Sequence, residues 1–442
     1  MKKKISKLIG LSFSEFEEFI NSHQVTLAKA RLIPLIKMGD EMALTSIFLS
    51  ALRIVKEFRE QIFKDTKISK GGRVYYYTEV SFPQLSDYRI DGLLIVVSAG
   101  KIKDAAFFEM KNKANEIDVD QITKYCDLAK KLGVNRMVTV SNEFVSDPKI
   151  VPYNLKSNKS ISLYHFSWTY ILTISKLLLF KNQTNIEDDD QIEIMKEVVS
   201  YLEHKDSGVS GFTKMKAGWK EVVEKIVSNA PIRVGDQIVE DAVLSWLQEE
   251  RDMALMLSRE LGVLVGQGSL SKKQNFNSLS KNLVSNQTLK SSLNVDGSVS
   301  DIEIEALMGK RTIAMSVTVD APLDKGNKGK VGWINRQLET CRKKNSEKFN
   351  SMEDEIWIEA QIKYSSKHEK VKYEDIDELA EIDRGREIVA FKIYLIEDAG
   401  RKFDSVKKFV ETIEYMLVDY YQILVQNLSN WDRPAPKIKE KD

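Results

Sequence analysis

YRIDGLLIVVSAGKIKDAAFFEMKNKANEIDVDQITKY, residues 88–125, is the stretch that decides the fold. Its run 91–97, DGLLIVV, has the β-rich composition of a strand, and 105–111, AAFFEMK, reads as the return strand. Residues 98–103 supply Gly100 and polar neighbours for the hairpin loop. Side chains alternate along a strand, so Glu109 and Lys111 share one face while Phe108 and Met110 share the other. With the hairpin centred near Gly100, Asp91 stands opposite Glu109. Directly opposed residues lie about 5 Å apart at Cβ. Two carboxylates and an ammonium therefore converge on strands otherwise apolar enough to be buried.

Like charges placed opposite each other destabilise a hairpin unless something neutralises them. A hard divalent cation does so, because Mg²⁺ prefers carboxylate oxygens and keeps several waters. Such an ion lowers the pKa of a bound water and braces a phosphate oxygen. Lys111 then stands ready to stabilise charge on a phosphoryl group or to orient the attacking water. A surface salt bridge on an edge hairpin is the alternative reading of the same three charges.

Residues 115–132 read as an amphipathic helix, with Asp118 or Asp120 as cap and Gly133 as stop. Gln121 sits in its first turn and Tyr125 one turn later on the same face. The order Asp91, Glu109-Met-Lys111, Gln121-x-x-x-Tyr125 resembles the PD-(D/E)XK nuclease superfamily, in particular members related to RecB-type nucleases, which carry a Q-x-x-x-Y motif on the following helix. The resemblance covers residues 1–181. Ile90 stands where that family has proline, a position with no catalytic role in the chemistry proposed. Glu203-His204-Lys205 is also E-x-K, but no hairpin precedes it, and it reads as a solvated helical face.

The resemblance implies that Asp91 and Glu109 hold Mg²⁺ or Mn²⁺ and that Lys111 and Gln121 complete the catalytic set. It places Tyr125 and Lys113 at the nucleic acid. In many members the helix before the sheet adds a glutamate to the metal site. Here Glu41 is the first candidate and Glu57 the second, on a strong helix read over residues 42–63 with Asp40 as its cap. For Glu41 the plainer alternative is that it complements the helix dipole. On the first strand, 73–82, Glu79 either joins the acids or, as we favour, faces solvent. Strands at 135–141 and 160–168 follow, and His165 reads as a packing residue.

Composition bounds the rest. Of 442 residues, 43% are apolar and 30% charged, with a net charge of +1, so no global basic field advertises nucleic acid and binding must use local patches. Two distant cysteines, Cys126 and Cys341, exclude a disulfide framework and suit the cytoplasm. Four scattered histidines argue against a His-based metal site. The longest apolar run, 170–180, is too short to span a bilayer, so no membrane partner is expected.

The expected architecture is α/β: a restriction-endonuclease-like mixed sheet flanked by helices over 1–181, a helical module at 190–262, a flexible linker rich in Gly, Ser, Asn and Lys at 263–297, and an α/β domain at 298–430. The middle helices form an antiparallel module or a dimerising arm, the latter making a homo-oligomer. The Gly/Lys loop 324–330, before a helix, reads as a phosphate cradle or as a solvated loop, and it lacks P-loop spacing. Residues 431–442 are a Pro/Lys tail. The expected function is a metal-dependent nuclease hydrolysing phosphodiester bonds, with DNA as the favoured substrate and bacterial antiphage defence as the setting. The rival is a nuclease-fold protein without catalysis that recognises nucleic acid or a protein partner.

Overall fold

A computed structural model of the chain describes residues 7–29, 37–85, 88–113, 115–145, 148–153, 160–180, 186–383 and 385–431. The tail 432–442 lies outside them. The chain divides into two units, residues 1–212 with 258–263 and residues 213–257 with 264–442.

The first unit is built on a mixed sheet of six strands in sequential order. These are β1 (Thr26–Lys29), β2 (Arg73–Ser81), β3 (Arg89–Ser98), β4 (Lys101–Met110), β5 (Arg136–Ser141) and β6 (Ser162–Ser167). The first four pair antiparallel, and β4, β5 and β6 run parallel. The parallel step at β4/β5 requires a crossover, which is a helix, as in any such unit.

Six helices belong to this unit: α1 (Phe13–Ser22), α2 (Glu41–Ile54), α3 (Lys56–Thr66), α4 (Val119–Leu132), α5 (Trp168–Leu177) and α6 (Asp189–Glu203). A capping box starts α1, with Ser12 Oγ accepting from the Glu15 N–H and Glu15 Oε2 accepting from the Ser12 N–H. Asp40 caps α2 by accepting from the Met42 N–H at 3.0 Å. Asp118 caps α4, and Gly133 ends it at φ 76°.

The single helix expected over 42–63 is two. Val55 leaves the helical region at φ −94°, ψ 112°, and the chain restarts as α3. The freed carbonyls are satisfied from outside the helix. Arg59 Nη1 donates to Leu52 O and Arg53 O at 3.0 and 3.2 Å, and Tyr76 Oη donates to Leu52 O.

One sheet face packs against α1 and α4 through Phe16, Leu93, Phe107, Ile122 and Leu128. The other meets α2, where Phe48 contacts both Phe108 and Trp168. Gly92 permits this approach: a Cβ there would lie 2.9 Å from Leu49 Cδ1 and 3.0 Å from Phe108 Cβ.

The 98–103 loop is tighter than expected. Ala99 and Gly100, at φ 49° and 74°, make a two-residue turn, and β4 begins at Lys101. The pairing shifts between Val96/Asp104 and Val97/Ile102, leaving Lys103 as a bulge.

The second unit carries an antiparallel sheet of seven strands in the order β12-β11-β13-β10-β9-β8-β7. In chain order they are β7 (Gly266–Gln267), β8 (Thr288–Asn294), β9 (Ile302–Leu307), β10 (Thr312–Asp320), β11 (Ile356–Ile362), β12 (Glu369–Lys372) and β13 (Ile388–Asp398). Its helices include α7 (Gly218–Val227), most of α8 (Gln237–Leu261), α9 (Ser269–Lys273), α10 (Phe276–Asn286) and α11 (Asn327–Lys344).

Two expected boundaries are corrected. Residues 263–297 are not a linker, since they hold β7, α9, α10 and β8. Nor do 190–262 form one helical module: α6 packs in the first unit, where Tyr201 Oη accepts from the Gly39 N–H, while α7 lies in the second. The Gly/Lys loop is structural. Lys330 is 1% exposed, and its Nζ donates to Ile388 O at 2.7 Å. Among the described residues no helix is long and apolar enough to cross a membrane.

Candidate active site

The site lies where β3 and β4 part. The ladder pairs Gly92 with Phe108, and one step further Asp91 faces Glu109, the alignment expected from a hairpin centred on Gly100. Beyond that pair the ladder stops. The Met110 N–H donates to Asp91 Oδ2 at 2.8 Å instead of to a β3 carbonyl. The Arg89 carbonyl accepts from Tyr125 Oη at 2.6 Å instead of from β4. The fork therefore replaces strand pairing with side-chain hydrogen bonds from the two functional segments.

Lys111 follows β4 directly, and its backbone is fixed at both ends. Its N–H donates to Val140 O at 2.8 Å, and its carbonyl accepts from Trp168 Nε1 at 2.8 Å. Its ammonium lies 2.6 Å from Glu109 Oε1 and 3.9 Å from Glu41 Oε2. The Glu109 side chain is 1% exposed, and its Oε2 is buried with no hydrogen-bond donor.

Burial sets the electrostatics. It pushes the Glu109 carboxyl up to about 8, helped by the Asp91 charge and opposed by Lys111. Asp91 is also raised, first by burial, with the Met110 N–H and Lys111 pulling it back. Burial pulls the Lys111 ammonium down, but its hydrogen bond to Glu109 and the surrounding acids more than offset this. At neutral pH the two facing acids and one ammonium therefore retain a proton between the acids, as expected for coupled carboxyls.

Glu41, the first residue of α2, reaches the site from the opposite side. Its Oε1 accepts from the Asn112 N–H at 3.2 Å and from Asn115 Nδ2 at 2.8 Å. Asn112 in turn donates through Nδ2 to Gly39 O and Ser207 O. Neither asparagine carried a signal in the sequence, where they look like ordinary loop residues. Glu57 lies on α3, past the break at Val55, and does not line the cleft. The cleft, of about 510 Å³, is lined by Glu41, Lys111, Asn115, Glu116, Asp118 and Gln121.

Gln121 Nε2 donates to Tyr125 Oη at 2.6 Å. Tyr125 is 3% exposed and belongs to the core. Its expected place against nucleic acid is corrected, because a ring closed on all sides presents no face for a base. Burial pushes its phenol well above the ordinary range, so it stays protonated and donates to Arg89 O. It joins the Gln121 amide to the β3 backbone, which makes it a positioning residue. Tyr125→Phe removes two hydrogen bonds and is expected to cost about 2 kcal/mol of folding stability, read as a lower urea midpoint. Lys113 is exposed at the rim, at φ 58°, with its carbonyl accepting from Asn142. His165 is neutral and structural: burial lowers it to about 4, and its ring bonds Thr139 Oγ1 and Glu143 O.

Among the described residues no group of three or more His, Cys, Asp or Glu is gathered as a ready-made metal cage. The Lys111 ammonium stands beside Glu109 and Glu41. Mg²⁺, however, is commonly bound through only one or two carboxylates, with water completing the shell. The facing Asp91 and Glu109 pair, with Glu109 Oε2 buried and receiving no N–H from the protein, fits that requirement. Glu41 faces the same cleft and is held by asparagines rather than by a second acid. No protein-family model, curated protein or solved structure matches the chain.

Proposed function

We propose that the first unit is a divalent-ion-dependent phosphodiesterase of the PD-(D/E)XK type, acting on nucleic acid, with DNA as the first substrate to test. The observation that carries this reading is the pair of facing carboxyls at a forked hairpin, with Lys111 fixed one step beyond. Acids are set against each other at the expense of stability where a cation is to be held. Asp91 and Glu109 would hold Mg²⁺ or Mn²⁺, with Glu41 as the outer acid. The ion, when bound, supplies a Lewis acid and a water of lowered pKa.

The chain's own groups do the rest. Lys111 donates N–H to charge developing on the phosphoryl oxygens, and its anchored backbone keeps that donor in place. Gln121, held by Tyr125, presents its amide oxygen to the cleft to orient a water or the substrate. Glu41 limits the travel of the Lys111 ammonium from the other side. A cytoplasmic role in antiphage defence is the setting we infer from a nuclease joined to a second unit.

The test is incubation of the full-length protein with single- and double-stranded DNA and RNA, with Mg²⁺, Mn²⁺ or chelator. Ion binding is measured in parallel by calorimetry on wild type and Asp91→Asn. Ion-dependent cleavage and loss of ion binding in Asp91→Asn are expected. Absence of both cleavage and carboxylate-dependent ion binding would return the unit to a binding protein that kept the architecture without chemistry.

A further inference from the structure

Glu79 on β2 is a third acid at the same level of the sheet. Thr78 pairs with Gly92 and Val80 with Ile90, which sets Glu79 against Asp91 as Asp91 is set against Glu109. Glu79 has φ 53°, a left-handed backbone rare for a residue with a side chain and rarer inside a strand. Such a conformation persists only where the surroundings enforce it. The Glu79 carboxylate is paired with Arg89, whose Nε lies 2.7 Å from Glu79 Oε2.

Arg89 is placed to do more than neutralise an acid. It precedes Asp91 by two residues, and Lys111 follows Glu109 by two. On antiparallel strands both cations therefore stand at the end of the sheet where the fork opens. The Arg89 backbone is tied to the site by Tyr125, the same hydroxyl that takes Gln121. Its side chain is 58% exposed against 16% for Glu79, and neither Nη makes a hydrogen bond to a described residue. Lys111, by contrast, has one donor on Glu109 and its remaining donors assigned to the reacting phosphoryl group. An anionic substrate approaching Glu41, Glu79, Asp91 and Glu109 needs a cation with donors still free. A guanidinium with its forked edge open matches phosphate geometry. Beside it, Lys124 lies over the Tyr88 ring, extending the cationic edge along the outside of α4.

We propose that Arg89 is the substrate-anchoring residue of this site, its free guanidinium edge taking a backbone phosphate of the bound strand while Glu79 fixes its orientation. This rests on the nuclease reading and names the group that holds the polyanion. The test measures binding of fluorescently labelled DNA to the full-length protein by anisotropy, with Ca²⁺ present, over a range of salt concentrations. Arg89→Gln is expected to bind more weakly, with the slope of log affinity against log salt reduced by about 0.7–0.9, the loss of one phosphate contact. Arg89→Lys keeps the charge and loses the fork, so it should keep the slope and bind several-fold more weakly. Glu79→Gln should keep the slope and bind several-fold more weakly. If wild type binds and cleaves while Arg89→Gln and Arg89→Lys match its affinity and slope, the anchoring role is wrong and the nuclease reading stands. If wild type binds no nucleic acid at any salt concentration, both fall.

Discussion

Glu109→Gln is expected to abolish divalent-ion-dependent cleavage and, at the same time, to make the ion-free protein more heat-resistant at pH 8 than wild type. The two effects have one cause. Burial and the facing Asp91 hold the Glu109 proton up to about pH 8, whereas an unfolded glutamate loses it near 4.5. Between those values the unfolded chain releases the proton and the folded chain keeps it, so wild-type stability falls as pH rises through this window. The amide cannot ionise, so the variant should show a flatter profile, with its advantage largest near pH 8. Ion binding to wild type must expel the proton, so affinity should climb about tenfold per pH unit below that value. The variant should lose more than about 10²-fold in cleavage, since even an outer partner of a metal ligand is worth 10- to 100-fold. Cleavage at the wild-type rate would remove Glu109 from the ion. Parallel stability profiles for the two proteins would show that its proton is held no more tightly folded than unfolded.

Lys111→Met should leave ion and nucleic-acid binding in place and slow single-turnover cleavage by about 10²–10³-fold, the usual loss for one preorganised donor. If Lys111 were only the counter-charge of Glu109, the effect would fall on stability instead, about 3–5 kcal/mol for removing one partner of a buried pair. The structure sharpens the separation. The Lys111 backbone is held by Val140 and Trp168 whatever its side chain, so the variant should keep the fork. Removing a cation from between Glu109 and Glu41 should, if anything, tighten ion binding. Near-wild-type cleavage at saturating Mn²⁺ would make this lysine structural.

The site's spine was legible in the sequence because hairpin register is arithmetic. Counting nine residues to each side of Gly100 set Asp91 against Glu109, and a bulge at Lys103 absorbs the tighter turn without disturbing that pairing. Tyr125 was misread because a motif gives a residue's place on a helix and not its burial. Its hydroxyl is spent on Gln121, one turn earlier on the helix, and on the Arg89 carbonyl, 36 residues back in the chain. For Glu79 the solvent-facing reading was favoured over joining the acids, and its left-handed φ inside a strand left no mark in the sequence. The segment 263–297 was taken for a linker because β8, TLKSSLN, has serines where a strand usually has branched apolar residues. Both serines are buried, and Ser292 is bonded: its Oγ accepts from the Leu270 and Ser271 N–H groups, and its own N–H donates to Ser271 Oγ. Polar tertiary bonds of this kind leave no periodic trace.

The helix α8 ends in residues that belong to the other unit. Because 258–263 return to the first unit, the backbone passes from one unit to the other at 212/213, 257/258 and 263/264. Neither unit is a contiguous stretch of gene. A protein shortened to residues 1–212 would lack the buried Ser258 and Arg259, whose Nη1 donates to Thr173 Oγ1 at 3.0 Å on α5. A nick at 212/213 would likewise leave 258–263 of the first unit on the peptide that carries the second. Excising the first unit whole would therefore require both of its segments, 1–212 and 258–263, which the second unit interrupts.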